Sequence, residues 1–331
     1  MTELPTFALL MRAVEIHLVF SSLVALAAWA VTSMNSSRVS ATAKYWIWVA
    51  TSINFLLPAG VLVDRFRPPD VAWALPLEDF GNAVARRDRL GIVLAAAWAV
   101  GSALMLARLW LRIRACRTAA QPAASVARPA SDAPAGFRAR GVPVRFDSEG
   151  GAPAVDGVLR PRISLPAGIE RALTPSELDA VLLHELTHAR RRDNLIRLVH
   201  EIAVSVFWFH PLVWIAGSRL SLYRELSCDE SVIRGARGGE LVSALAKLAN
   251  PGETLLLQAG ASSYLADRVA SLAAPRRTST AASALQVAIF VLVLFSCVLA
   301  SAFQSNLMHR AALGEFCSRG PDHLAGRPGT K

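Results

Sequence analysis

Lysine is nearly missing from this chain, with 3 against 32 arginines, and charged residues of all kinds fill only 18% of its 331 positions. A length that would hold two globular domains is therefore not matched by the composition of two soluble domains. Cysteine is scarce as well. Cys116, Cys228, Cys297 and Cys317 show none of the paired spacing of a structural zinc site, and no disulfide framework is read from them. No Ser-x-x-Lys sequence occurs anywhere. The first apolar run is too long for the core of a secretory signal, and its leader carries Glu3, Glu15 and a single arginine.

What is abundant is apolar sequence, 53% of the whole. Residues 16–34, 45–63, 90–111 and 285–303 form runs of about 19 to 22 residues, the length of a helix that crosses a hydrocarbon core of about 30 Å. Trp46, Trp48 and Trp110 stand near the ends of two runs, where interfacial aromatics belong. The net charge of +10 fits a basic cytoplasmic face better than a nucleic-acid partner. Residues 112–283 hold 22 Arg and Lys and are placed in the cytoplasm. Alternation then puts the N-terminus, the 64–89 loop and the C-terminal tail outside. That loop balances five arginines with five acids, the weakest link of the topology.

The expected organisation is a membrane domain at 1–116 with three spans, then a flexible Ala/Pro linker at 117–137. A domain at 138–283 that carries His184-Glu-x-x-His188, a last span at 284–304 and a short outer tail at 305–331 complete it. The fold class is mainly α: a polytopic membrane protein with about four transmembrane helices and an inserted α+β domain facing the cytoplasm, zincin-like in that His-Glu-x-x-His motif. Residues 142–146 and 154–164 read as short strands around Gly150-Gly151. Such a strand serves equally well as a structural hairpin or as an edge that receives an extended peptide. Residues 195–217 are very apolar and broken at His210-Pro211. A crossing there would strand Glu225 opposite the histidines described next, so the segment is expected to dip into the membrane or lie along it.

The most informative residues are His184-Glu185-Leu186-Thr187-His188. On a helix, His-Glu-x-x-His sets two imidazoles one turn apart on one face, within reach of one zinc ion, and puts a glutamate beside them to deprotonate the attacking water. Thr174-Pro175-Ser176-Glu177 reads as a capping box, and Leu178, Val181 and Leu182 recur at helical spacing, so a helix over about 175–192 is expected. Asp193-Asn194 is expected to cap the next helix. A catalytic zinc needs a third protein ligand and an open position. Glu225 is assigned to the metal, and Asp229, one turn on, is assigned to hydrogen-bond a ligand histidine. Cys228, His200 and His210 are rival ligands, and His17 reads as an interfacial or packed residue. Arg224, His210 and Tyr223 are the candidates for stabilising charge on the reacting carbonyl oxygen.

Pro161-Arg-Ile-Ser-Leu-Pro166, the stretch from His184 to Asp193, Phe209-His-Pro-Leu-Val-Trp214, and Arg224-Glu-Leu-Ser-Cys-Asp-Glu230 occur in the order seen in the BlaR/MecR-type membrane zinc peptidases, which this chain resembles. Leu265 to Leu272 also looks like the stretch before that family's last membrane helix. The resemblance implies one Zn2+ at His184, His188 and Glu225, with Glu185 catalytic in a cytoplasmic domain. Relatives with sensor domains cleave themselves and cause loss of a cytoplasmic winged-helix repressor. The missing Ser-x-x-Lys leaves covalent sensing of β-lactams unsupported, so an orphan member without a penicillin-binding domain is expected. The expected activity is a membrane-embedded zinc endopeptidase acting in regulated proteolysis or signal transduction. Its partners would be a protein substrate such as that repressor, and membrane lipid, with no direct nucleic acid and a homodimer left open. The alternatives are a non-catalytic signalling protein that uses zinc structurally, or a housekeeping quality-control peptidase.

Overall fold

The computed structural model describes residues 6–33, 39–57, 89–119, 141–147, 152–248, 268, 271–272 and 278–318. Helix α1 (Thr6–Ser33), α2 (Ala41–Leu56) and α3 (Arg89–Ala119) come first in the chain. Strands β1 (Val144–Asp147), β2 (Ala154–Asp156) and β3 (Arg162–Pro166) follow. The remaining helices are α4 (Ile169–Ala172), α5 (Pro175–Arg191), α6 (Asp193–Val206), α7 (Pro211–Arg234), α8 (Gly238–Leu248) and α9 (Thr280–Ser318). The protein is mostly helical, and it is a membrane protein. Among the described residues, three helices are long and apolar enough to cross a bilayer, with candidate spans at Val14–Ser33, Ile92–Ala115 and Thr280–Ala300.

The second of the four expected spans differs. Helix α2 has 16 residues, about 24 Å at 1.5 Å per residue, short of a hydrocarbon core of about 30 Å. Most of it is buried by protein: Tyr45, Trp48, Thr51 and Phe55 have no exposed surface. The rest of that run, 58–63, lies outside the described residues, as do the 64–89 loop up to residue 88 and most of the expected linker. Helix α9 continues past residue 304 to Ser318.

The small sheet has the order β1-β3-β2, with β1 parallel and β2 antiparallel to β3. The expected 154–164 strand is split in two because the chain turns at Gly157 (φ +82°), where an added Cβ would meet the Arg160 carbonyl oxygen at 2.5 Å. Ile163 and Leu165 of β3 pack on Leu178, Val181, Leu182 and Leu186 of α5 and on Leu241 of α8. Helix α5 starts as its sequence demands. Thr174 Oγ1 accepts from the Glu177 amide at 3.3 Å, and Glu177 Oε2 accepts from the Thr174 amide at 2.8 Å, with Pro175 in the first turn. Glu177 also accepts from Lys247 and Ser243, which ties α8 to α5.

Helices α6 and α7 form a bent pair joined through Phe207–His210, and they stand among the apolar helices rather than on top of them. Val24 and Ala28 of α1, Tyr45 and Trp48 of α2, and Ala216 and Leu220 of α7 make one core. Ala25, Phe55, Ala203, Val204 and Val213 make another. At the tip, His210 Nε2 lies 3.0 Å from Ser22 Oγ and its ring packs edge-on against Phe55. Ser22 is eleven residues before the end of α1, about 16 Å along the helix. The pair therefore reaches roughly half the depth of the candidate span. Its outward residues Phe209 and Ile215 are exposed and apolar, as a lipid-facing surface requires. Helix α3 docks on this pair: Trp98 Nε1 donates to the Val206 carbonyl at 2.9 Å.

At Gly101 of α3 an added Cβ would sit 2.4 Å from the Trp208 ring. Gly101→Leu should therefore displace Trp208 and lower the midpoint of thermal unfolding in detergent, corresponding to about 1–3 kcal/mol of overpacking. Helix content by circular dichroism should stay unchanged, and an unaltered midpoint would show that α3 does not rest there.

Candidate metal centre

Helix α5 presents His184, Glu185 and His188 toward the second half of α7. His184 Nε2 and His188 Nε2 are 3.1 Å apart, and Glu225 Oε2 lies 3.6 Å from the first and 3.8 Å from the second. Ligand atoms about 2.0–2.2 Å from one tetrahedral ion are separated by roughly 3.3 Å. The triangle is thus the size of three corners of such a site, and two imidazoles with one carboxylate leave a corner open. The residues present fit a divalent metal.

Each imidazole is held from behind. His188 Nδ1 donates to Asp193 Oδ2 at 2.6 Å. His184 Nδ1 lies 3.0 Å from Asp229 Oδ1, at an angle short of a regular hydrogen bond. A carboxylate at Nδ1 keeps the proton there and turns the Nε2 lone pair toward the triangle. The carboxylates are in turn saturated. Asp193 accepts from Arg191 Nε and Nη2 at 2.7 and 2.6 Å and from the Tyr45 hydroxyl at 2.7 Å. Asp229, fully buried, takes two parallel bonds from Arg268, both 2.9 Å.

The expected site residues do not all come together. His184, His188 and Glu225 are brought together, with Asp229 behind His184. Glu185 is buried beside them and takes part in no hydrogen bond among the described residues. Arg224 donates to the other oxygen of Glu225 at 3.0 and 2.8 Å. His210 sits at the hairpin tip, fifteen residues from Glu225 on the same helix, about 22 Å away. Tyr223 packs in the apolar core near the Lys44 ammonium. His200 lies 3.0 Å from Ser52 Oγ and His17 lies 2.9 Å from the Phe55 carbonyl.

Asp193 is corrected from helix cap to imidazole partner. The residue that caps α6 is Arg192, in the left-handed region (φ 57°) and without a side-chain bond. That reversal aims Asp193 back at His188, while Asn194 donates to the Val155 and Gly157 carbonyls of the sheet. Arg268 lies in the Leu265 to Leu272 stretch, to which the sequence assigns no role at the site. Its Nη1 lies 3.5 Å from Glu225 Oε2 and its Nη2 3.5 Å from His184 Nε2, so a guanidinium spans the open side of the triangle. No local pattern marks it, because it comes from a segment 39 residues beyond Asp229. Asp193 carried a faint signal, an acid five places after the second histidine.

A second group, His188 with Asp193 and Cys228, is also close enough to share an ion. There, however, Arg191 Nη2 already lies 2.6 Å from Asp193 and 3.2 Å from Cys228 Sγ. An arginine does not give up its proton, so this group already has its cation.

The charges explain the electrostatics. Burial opposes protonation of His184, but Asp229 and Glu225 outweigh it and raise its pKa to about 9. Burial opposes the charge of His188 too, and Asp193 lifts it well above the ordinary value. Burial alone would raise Glu225, yet the two imidazoles hold it well below the usual carboxylate range. The cluster is thus a concentration of negative charge waiting for a cation, a proton or a metal.

A helix-borne histidine pair thus meets a carboxylate from a later helix, next to long apolar helices, in a membrane protein. The sequence profile described as BlaR1 peptidase M56 matches residues 13–272, and the chain belongs to that family. It is 40% identical over 83 residues to the regulatory protein BlaR1 of Bacillus licheniformis, a quarter (25%) of this chain and 14% of that protein. It is 24% identical over 98 residues to the methicillin resistance mecR1 protein of Staphylococcus aureus strain Mu50, 30% of this chain and 17% of the relative. The same identity and coverage hold for the mecR1 protein of Staphylococcus epidermidis. The matched segments thus span less than a fifth of these relatives' own length.

Because metal must displace protons held on both His184 and His188, zinc affinity should rise by more than about tenfold per pH unit from pH 7 and still be rising near pH 9. The metal-free fold should behave oppositely. The charged His184 contributes stability in full below about pH 6.5 and loses it as pH rises through about 9. Chelator competition and thermal unfolding across pH 6–10 measure both, and a flat affinity profile contradicts the assignment. Asp193→Asn and Asp229→Asn should each weaken zinc binding about 10- to 100-fold.

Proposed function

We propose that this protein is a zinc-dependent membrane endopeptidase whose site, at the cytoplasmic face of the bilayer, cleaves a regulatory protein or its own chain. The observation that carries the reading is the triangle of His184, His188 and Glu225, with Glu185 buried beside it. A zinc ion held there would supply Lewis acidity, lowering the pKa of water and polarising a carbonyl. Glu185 takes the proton from the attacking water and passes it to the amine that leaves when the C–N bond breaks. Arg268, at the open side, donates to the carbonyl oxygen as its negative charge develops. Arg224 keeps Glu225 oriented through the carboxylate oxygen that faces away from the triangle.

The cytoplasmic orientation rests on the arginine content of 112–283. A regulatory substrate is favoured over housekeeping turnover because relatives carry the names regulatory protein and methicillin resistance protein. A winged-helix repressor and the chain itself, next to its membrane helices, are the candidates.

Glu185→Gln should keep one zinc per chain and lose proteolysis by about 10²–10⁴-fold, the range a general base of this kind is worth. Arg268→Ala should lower kcat about 10²-fold. Metal content and cleavage of purified protein in detergent measure both. Full proteolysis by Glu185→Gln rejects its role, and full complementation of a deletion strain by that variant favours a signalling scaffold.

A further inference from the structure

A groove of about 650 Å³ leads away from the metal centre between the two arms of the α6–α7 pair. Glu225, Arg224, Arg268 and Asp193 form its head. Ile196, His200 and Glu201 line one wall below, and Trp214, Ser218 and Ser221 line the other. From Glu225 to Trp214 is eleven residues of α7, about 16 Å, which holds about five residues of extended chain. The foot of the groove lies toward the hairpin tip, whose His210 meets Ser22 at mid-depth of the α1 span.

The lining is unlike a lipid-facing surface. Within the apolar layer, an acid, an imidazole and two serines follow one another along the cleft. Glu201 is 4.0 Å from Arg197, a loose pair. Ionisable residues at such depth belong to water-filled cavities and transport paths. Non-helical backbone survives at membrane depth only where polar groups are present to bond its N–H and C=O. Apolar Ile196, Trp214 and Leu220 between them suit side chains. A lipid tail would make no use of this polar wall, whereas an extended polypeptide needs it.

We propose that the groove between α6 and α7 holds, in extended form, the stretch of substrate polypeptide that adjoins the substrate's own membrane-anchored helix, and feeds it to the metal centre. The proposal rests on the peptidase reading and narrows its substrate class to proteins cut close to a membrane segment. Ser218 and Ser221 are exposed, so bulky side chains there fill the groove without disturbing a core.

The test uses the full chain carrying Glu185→Gln in lipid nanodiscs, loaded with zinc. The probe is a synthetic peptide with a Leu/Ala membrane helix followed by a polar segment bearing a benzophenone next to the helix. Photo-adducts should map to residues of α6 and α7 that line the groove. Their yield should fall about tenfold or more with Ser221→Trp or Ser218→Trp and stay unchanged with the alanine variants. Adducts elsewhere, no adducts, or a yield indifferent to tryptophan overturn the proposal. Zinc content and casein hydrolysis by the chain with Glu185 intact judge the peptidase reading separately. Groove adducts without hydrolysis would refute that reading alone, and hydrolysis without groove adducts would refute this one alone.

Discussion

Everything at the site depends on burying negative charge. Asp193, Asp229 and Glu225 surround two imidazoles in a space with little water, and each carboxylate is tolerable only because a cation or donor is aimed at it. Arg191 and Tyr45 serve Asp193, Arg268 serves Asp229, and Arg224 holds the outer oxygen of Glu225. Removing one partner of a buried pair costs roughly 3–5 kcal/mol, because the other charge is left alone. The triangle keeps Arg268 at its rim, 3.5 Å from Glu225 Oε2 and engaged with Asp229, whereas the group around Cys228 has the Arg191 guanidinium against both Asp193 and the thiol.

The same bonds join the site to the membrane part of the molecule. Tyr45 belongs to α2, its hydroxyl donates to Asp193, and the Arg191 guanidinium lies 3.9 Å over its ring. Thr42 donates its amide and hydroxyl to Glu230 of α7, and the Ser40 amide donates to Ser283 of α9. Helix α7 itself packs among the apolar helices in its first half and carries Glu225 and Asp229 in its second. A shift of α2 or α9 therefore bears directly on how the imidazoles are held.

The histidine helix was open to reading because its signals are local. A capping box, a proline at the first position and helical spacing of Leu178, Val181 and Leu182 all lie within one short window. Glu225 and Asp229 were legible through the chemistry of a third ligand and their one-turn spacing. The break at His210-Pro211 foretold a bent pair, though not its depth beside α1. Three things were hidden. Asp193 looked like a helix cap because only the left-handed turn at Arg192 reveals which way it faces. Arg268 acts across a long sequence separation, where no periodicity speaks. An apolar run does not say whether lipid or protein will cover it, so α2 read as a crossing while the described helix is short and packed on α7.

X-ray absorption at the zinc edge tests the central claim most directly. The account predicts nitrogen and oxygen neighbours only, at about 2.0–2.2 Å, with the outer-shell pattern of two imidazoles. A sulfur neighbour at about 2.3 Å would place the ion on Cys228 and contradict it.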